Sequence, residues 1–169
     1  MSFAGRVCLW LCVTVICVGC ATTPELAEQR RTQELTVEKI LSEPLDESAY
    51  GKTKRCLRSN EYRSFRVLDD RHILFSGSRG RMWLNVLPHR CSDLRHATTL
   101  AIKSVPIGSR ICALDTFKAG DWFEWPWYRR WPWRWGTSWD AKMSCSLSEF
   151  QPVTQTQVAA IDQALKGDR

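Results

Sequence analysis

From Glu61 onward the chain is cut into short runs of strand-forming residues, separated by polar turns at 8 to 15-residue intervals. Residues 62–68 make the first run, and Asp69-Asp70 the first turn. Ile73 and Phe75 then alternate with the polar His72 and Ser76, a period of two that belongs to a half-exposed strand. Gly77-Ser78-Arg79-Gly80 is a second turn, followed by Met82, Leu84 and Val86 on one face and Trp83 on the other, until Pro88 stops the strand. Leu100 and Ile102 mark a fourth strand, Pro106-Ile107-Gly108-Ser109 a turn, and Ile111, Ala113 and Phe117 a fifth. The pattern predicts a mainly β fold: a small antiparallel meander, roll or barrel-like, with an N-terminal helical spacer and a short C-terminal helix. At 169 residues the chain suits one domain, because two cores would each be too small to bury much surface.

The two helices have their own signatures. Thr23-Pro24-Glu25 starts a helix over residues 24–42, with proline in the first turn and an acid near the positive end of the dipole. Its apolar stripe (Leu26, Val37, Ile40, Leu41) is incomplete, so docking is expected through Val37, Ile40 and Leu41, and Pro44 ends it. Near the C-terminus Thr154 and Gln157 have the spacing of a capping box, ahead of Val158, Ile161 and Leu165 on one face. Charge divides the chain in the same places. Residues 21–49 hold 3 basic and 7 acidic side chains, and residues 50–150 hold 18 basic and 9 acidic, net +9.

The N-terminus gives an address. Arg6 precedes an apolar run over residues 7–18, too short to cross a bilayer core of about 30 Å, and then comes Gly19-Cys20. Val18-Gly19-Cys20 resembles the lipobox of bacterial lipoproteins, with Cys17 where that family prefers leucine. The resemblance implies cleavage before Cys20, diacylation of its thiol, and a firm anchor at about 0.8 kcal/mol per buried CH₂. Ala21 at the next position, by resemblance to enterobacterial sorting rules, implies the outer membrane facing the periplasm. The expected layout is a signal peptide at 1–19, a lipidated Cys20 with helical spacer at 20–53, and a β domain at 54–169.

Cys8, Cys12 and Cys17 would leave with the signal, so Cys56, Cys91, Cys112 and Cys145 remain. Four cysteines in an oxidising compartment read as two disulfides. Three pairings are open; closing one short loop and joining the ends of the core favours Cys91 with Cys112 and Cys56 with Cys145.

A family resemblance enters with particular strings. Phe65-Arg66-Val67-Leu68-Asp69-Asp70, Arg79-Gly80-Arg81, Trp83-Leu84-Asn85, Leu87-Pro88-His89-Arg90-Cys91, Arg110-Ile111-Cys112-Ala113-Leu114-Asp115 and Ser144-Cys145-Ser146-Leu147 look like an uncharacterised family of proteobacterial lipoproteins. The likeness runs over about residues 54–165, leaves the tryptophan-rich stretch outside, and implies a periplasm-facing domain with no assigned catalytic residue.

That stretch holds seven of the nine tryptophans, between 122 and 139. Trp122, Trp125, Trp127, Arg129, Arg130, Trp131, Trp133, Arg134 and Trp135 resemble tryptophan, proline and arginine-rich antimicrobial peptides of the indolicidin kind. Indole rings favour the headgroup boundary and arginine pairs with lipid phosphate, while Pro126 and Pro132 exclude a regular helix. A membrane or partner surface at loop 121–139 is expected.

Arg79, Arg81 and Arg90, with Arg95 beside them, form a candidate anion site for lipopolysaccharide phosphates or acidic glycans. Salt bridging to Asp69, Asp70, Asp93 and Asp115 is the competing reading. His72, His89 and His96 are expected to be exposed loop histidines; His89 and His96 with nearby acids define an alternative, a small periplasmic enzyme or metal-binding protein. No His-Glu-x-x-His, Gly-x-Ser-x-Gly or phosphate-binding glycine loop occurs, so no catalytic residue, metal or cofactor is expected. An exported chain meets little nucleic acid, so the basic core does not point there. The sequence thus predicts a non-enzymatic, lipid-anchored outer-membrane protein that binds anionic lipid, lipopolysaccharide or an envelope protein.

Overall fold

The computed structural model describes residues 23–103, 110–120 and 142–166. Within them lie nine strands in three antiparallel sheets, with α1 (Pro24–Leu41) at one end, a single turn α2 (Glu47–Tyr50), and α3 (Gln155–Leu165) at the other. The expected mainly β, antiparallel class is present, and no closed barrel forms among the described residues.

The central sheet has the order β2 (Tyr62–Val67), β3 (His72–Gly77), β4 (Met82–Val86), β9 (Phe150–Val153). Local turns build β2-β3-β4 as a meander, and β9 joins from far along the chain with Leu84 opposite Gln151. Pro152 has no N–H to donate, and β9 is an edge strand, where that loss is tolerated. Two further sheets are β1 (Cys56–Arg58) with β6 (Arg110–Cys112), and β5 (Thr99–Lys103), β7 (Thr116–Gly120), β8 (Ser144–Ser146).

Both faces of the central sheet are covered. Ile73, Phe75, Trp83 and Phe150 point to one side and pack with Leu57, Ile111, Phe117 and Ala119 from the smaller sheets and with Leu147 just after β8. Phe75 meets Tyr62 and Phe150 edge-to-face at centroid distances of 5.7 and 5.3 Å. Leu74, Leu84 and Val153 point to the other side, under Val37 of α1 and Val158, Ile161 and Leu165 of α3. Helix α1 docks as its stripe predicts: Val37 is buried, and Ile40 and Leu41 pack at its edge. The capping box forms, with Thr154 Oγ1 accepting from Gln157 N at 3.1 Å and Gln157 Oε1 accepting from Thr154 N at 3.0 Å. Gln157 Nε2 also donates to Ile40 O at 3.1 Å, tying the two helices together.

Three expectations are corrected. The single fifth strand divides into β6 and β7, because Leu114 takes a left-handed φ of 75° and Asp115 Oδ2 accepts from Cys112 N, closing a tight turn. The favoured cysteine pairing is also wrong. Cys56 and Cys112 are register partners on β1 and β6 and are bonded to each other; Cys91 is bonded to Cys145. Loop arithmetic could not see that a three-residue strand pairs across the chain. The two closed loops, 56 and 54 residues long, each contribute about 4 kcal/mol in the chain-entropy account. Finally, His72 is no exposed loop histidine: it is 2 % exposed, because helices cover the face that alternation assigned to solvent.

Gly77 shows how tightly the layers fit. A Cβ there would stand 2.2 Å from Glu61 O and 2.7 Å from the Trp83 ring. Gly77→Ala is therefore expected to destabilise by about 3 kcal/mol, since backbone rather than a mobile side chain must yield. Denaturant unfolding reads the difference.

Candidate functional site

Charge gathers at the β2–β3 turn. Asp69 Oδ1 accepts from the backbone N–H of Arg71 at 2.8 Å and of His72 at 2.7 Å, which is what makes the turn, and lies 2.8 Å from His72 Nδ1. Burial pushes the Asp69 carboxyl pKa up, but the hydrogen bond and charge of His72 and the two backbone donors outweigh it, leaving the pKa below the usual carboxylate value. An ionised Asp69 can only accept, so His72 Nδ1 carries the proton.

Asp70 is 5 % exposed and would be costly unpaired. Arg90 reaches one of its oxygens at 2.5 Å and Arg95 the other at 3.1 Å. Arg90 extends to Glu34 of α1 at 2.7 Å, and Arg71 reaches the same Glu34 oxygen at 2.8 Å. Partial burial raises the Glu34 pKa, yet the hydrogen bonds and charges of Arg71 and Arg90 lower it further than that. Desolvation works against the Arg90 cation, and Glu34 and Asp70 more than restore it. Arg71 Nε donates to Leu87 O at 3.0 Å, which fixes its fork. The network thus fastens α1 to the turn and to the chain after β4.

Beside it, between α1 and the helix-covered face of the central sheet, lies a cavity of about 480 Å³. Glu34, Val37 and Leu41 form one wall, and Arg71, His72 and Val86 the other.

The three arginines expected to form an anion site are not brought together. Arg79, in the left-handed region at φ 59°, and Arg81 flank the β3–β4 turn, whereas Arg90 lies near the opposite end of that hairpin. Arg90 is committed to Glu34 and Asp70. Asp93 Oδ2 accepts from Met143 N at 3.0 Å, and Asp115 caps its turn. His89 and His96 are exposed, and Cys91 beside them is disulfide-bonded. Among the described residues no group of three or more His, Cys, Asp or Glu side chains is placed to hold a metal ion. Trp83 is a core residue, with Lys54 Nζ 5.7 Å from its ring centroid. Cys20, the signal segment and the surface expected at 121–139 lie outside the described residues. No described helix is long and apolar enough to cross a membrane.

The residues that sequence reasoning missed are Glu34 and the pair Asp69 with His72. Asp-x-x-His across a turn is a visible spacing, but nothing in the acidic helix singles out Glu34 from its neighbours.

Fold and site together define a disulfide-linked, mainly β domain clamped by an N-terminal helix. The chain belongs to a family of unknown function, DUF6491, whose model matches residues 4–168. No curated protein and no solved structure matches it.

Folded-state pKa values lowered at Asp69, Glu34 and Glu61 supply stability that is present above the unfolded values, near 4, and is lost as pH falls through the folded ones. Stability is expected to drop on acidification below about pH 4. Asp69→Asn should cost roughly 2 kcal/mol at neutral pH and flatten that drop, because the buried turn loses its charged acceptor. Unfolding midpoints measured across pH check both.

Proposed function

We propose that this chain is a lipid-anchored envelope protein, facing the periplasm from the outer membrane, that binds anionic envelope components or a protein partner through the basic, tryptophan-rich segment 121–139. The observation that carries the reading is the joint arrangement of two disulfides and a clamped α1. Both cysteine pairs link distant parts of the domain, a use of cysteine that suits an oxidising compartment. Helix α1 begins at Pro24, a few residues after the lipobox-like Val18-Gly19-Cys20. It would carry the pull of an anchor at Cys20 directly into the domain through Val37 and Glu34.

The placement of the tryptophan-rich segment supports its use as a contact surface. It is inserted between β7 and β8, neighbours in one antiparallel sheet, so its two ends leave and re-enter the domain side by side. Arginine attraction to lipid phosphate would act over about 8 Å at physiological ionic strength, and indole burial would add a part that salt does not screen.

Cys20→Ala is expected to release the protein from the membrane fraction, since lipidation needs that thiol. Retention of the variant in washed outer membranes would contradict the anchor. Trp127, Trp131 and Trp133, all replaced by Ser, should abolish salt-resistant binding to anionic vesicles with no change in unfolding midpoint. Vesicle co-sedimentation at low and high salt separates the two contributions, and loss of the fold would make the segment structural instead.

A further inference from the structure

We propose that the outward face of the β1–β6 ribbon is an anion site, in which Arg58 and Arg110 together grip one dianionic phosphate monoester. The site lies outside segment 121–139 and does not rest on the reading given to that segment.

The argument starts from strand register. Cys56, Leu57 and Arg58 of β1 stand opposite Cys112, Ile111 and Arg110 of β6. Alternate side chains share a face, so Leu57 and Ile111 turn inward to the core, and Arg58 and Arg110 share the other face with the disulfide. Both arginines are exposed. One step before the disulfide, Ala113 N donates to Arg55 O at 2.6 Å, which marks a hydrogen-bonded pair. Bonded and non-bonded pairs alternate along an antiparallel ladder, so the cysteines and the two arginines both fall at non-bonded positions. The cysteine Cα atoms, 3.9 Å apart, agree with that placing. Opposed side chains come closest at such positions, with Cα atoms about 4.5 Å apart. Like charges set there repel and weaken the pairing. The Cys56–Cys112 bond, two residues away, holds the register against that repulsion.

No described acid answers the two charges. Glu61, close in the chain, accepts from the Arg58 backbone N–H at 2.9 Å and pairs with Lys54. Asp115 is turned to the backbone N–H of Cys112. Among the described residues neither guanidinium has an ion pair or hydrogen bond, in contrast to Arg66, Arg71 and Arg90.

The ligand follows from the charge and shape of the pair. A guanidinium is a planar fork that takes a carboxylate or a phosphate by two parallel hydrogen bonds. A carboxylate brings one negative charge and fills one fork. Two adjoining forks call for nearly two negative charges and for oxygens on more than one side. A phosphate monoester carries about −1.5 to −2 at pH 7 and presents three acceptor oxygens. Because the face is open, the rest of the ester projects into solvent. The same group can therefore arrive on a soluble molecule or as a lipid headgroup.

The test uses the full-length protein in detergent with ¹⁵N-labelled arginine. It is titrated with glycerol 3-phosphate, and with acetate and sodium chloride at matched ionic strength. Glycerol 3-phosphate is expected to shift the Nε resonances of Arg58 and Arg110 saturably, with a Kd of about 1 mM. At ten times that concentration it should raise the thermal unfolding midpoint by about 3 °C. Arg58→Gln and Arg110→Gln should each weaken binding at least about tenfold, and each should raise the midpoint in low salt without ester, since the repulsion is gone. Vesicles containing phosphatidic acid then distinguish the source, in protein with Trp127, Trp131 and Trp133 replaced by Ser. Vesicle binding that falls with Arg58→Gln or Arg110→Gln assigns the ester to a lipid headgroup. Vesicle binding indifferent to both, beside intact binding of glycerol 3-phosphate, assigns it to a soluble molecule. The proposal is overturned if chloride moves the two resonances as the ester does, if acetate binds as tightly, if neither glutamine variant weakens ester binding, or if both lower the midpoint.

Discussion

A central sheet covered on both faces sets the terms for everything else. Helices α1 and α3 lie over one side and two smaller sheets over the other, so β3 runs through the interior with His72, Ile73, Leu74 and Phe75 all buried. A strand in that position offers no solvent to its polar side chains, and each must find a partner within the chain or open onto a cavity. Asn85, fully buried on β4, meets the condition completely: Nδ2 donates to Ser148 O at 2.6 Å and Oδ1 accepts from Ser148 N at 3.0 Å. His72 meets it at Nδ1, through Asp69. Asn85 thus bonds β4 to the β8–β9 connection, and His72 bonds β3 to the turn that precedes it.

The same covering explains the charge network. Helix α1 buries a single residue, Val37, too little apolar area to hold an 18-residue helix on its own. Glu34, one turn earlier, adds Arg71 and Arg90, and Ile40 O adds Gln157. These bonds lie at the edge of the domain, where exposed pairs contribute little singly. Their value comes from Asp70, which is buried and needs Arg90 and Arg95 in any case. Arg90 therefore answers a buried acid and holds the helix with the same fork.

Much of this was legible in the residues. Alternation placed Met82, Leu84 and Val86 on one face of β4 with Trp83 on the other, and each proved to pack where the pattern put it. Local devices, such as the Thr154 and Gln157 box and the proline start of α1, are written in adjacent residues and were readable for that reason. What escaped depends on long-range pairing. The three-residue β1 and β6 lack a period long enough to detect, so the Cys56–Cys112 register stayed hidden. Alternation at His72 and Ser76 implies exposure, since a period of two tells which side chains share a face but not what covers it. The cavity followed the same fate, because Glu34 and His72 are brought together by docking alone.

Docking also has a consequence for the proposed anchoring. The ion pairs of Glu34 and the buried Val37 lie in the second half of α1, whereas Glu25, Ala27 and Glu28 at the start are exposed. About ten residues of helix precede Glu34, a length of about 15 Å at 1.5 Å per residue. A helix fixed at one end by side chains and at the other by lipid transmits orientation as well as attachment, unlike a flexible tether. Under that arrangement the domain would hold a set face toward the membrane. The β7–β8 insertion point would then decide whether segment 121–139 reaches lipid headgroups or a partner on the far side.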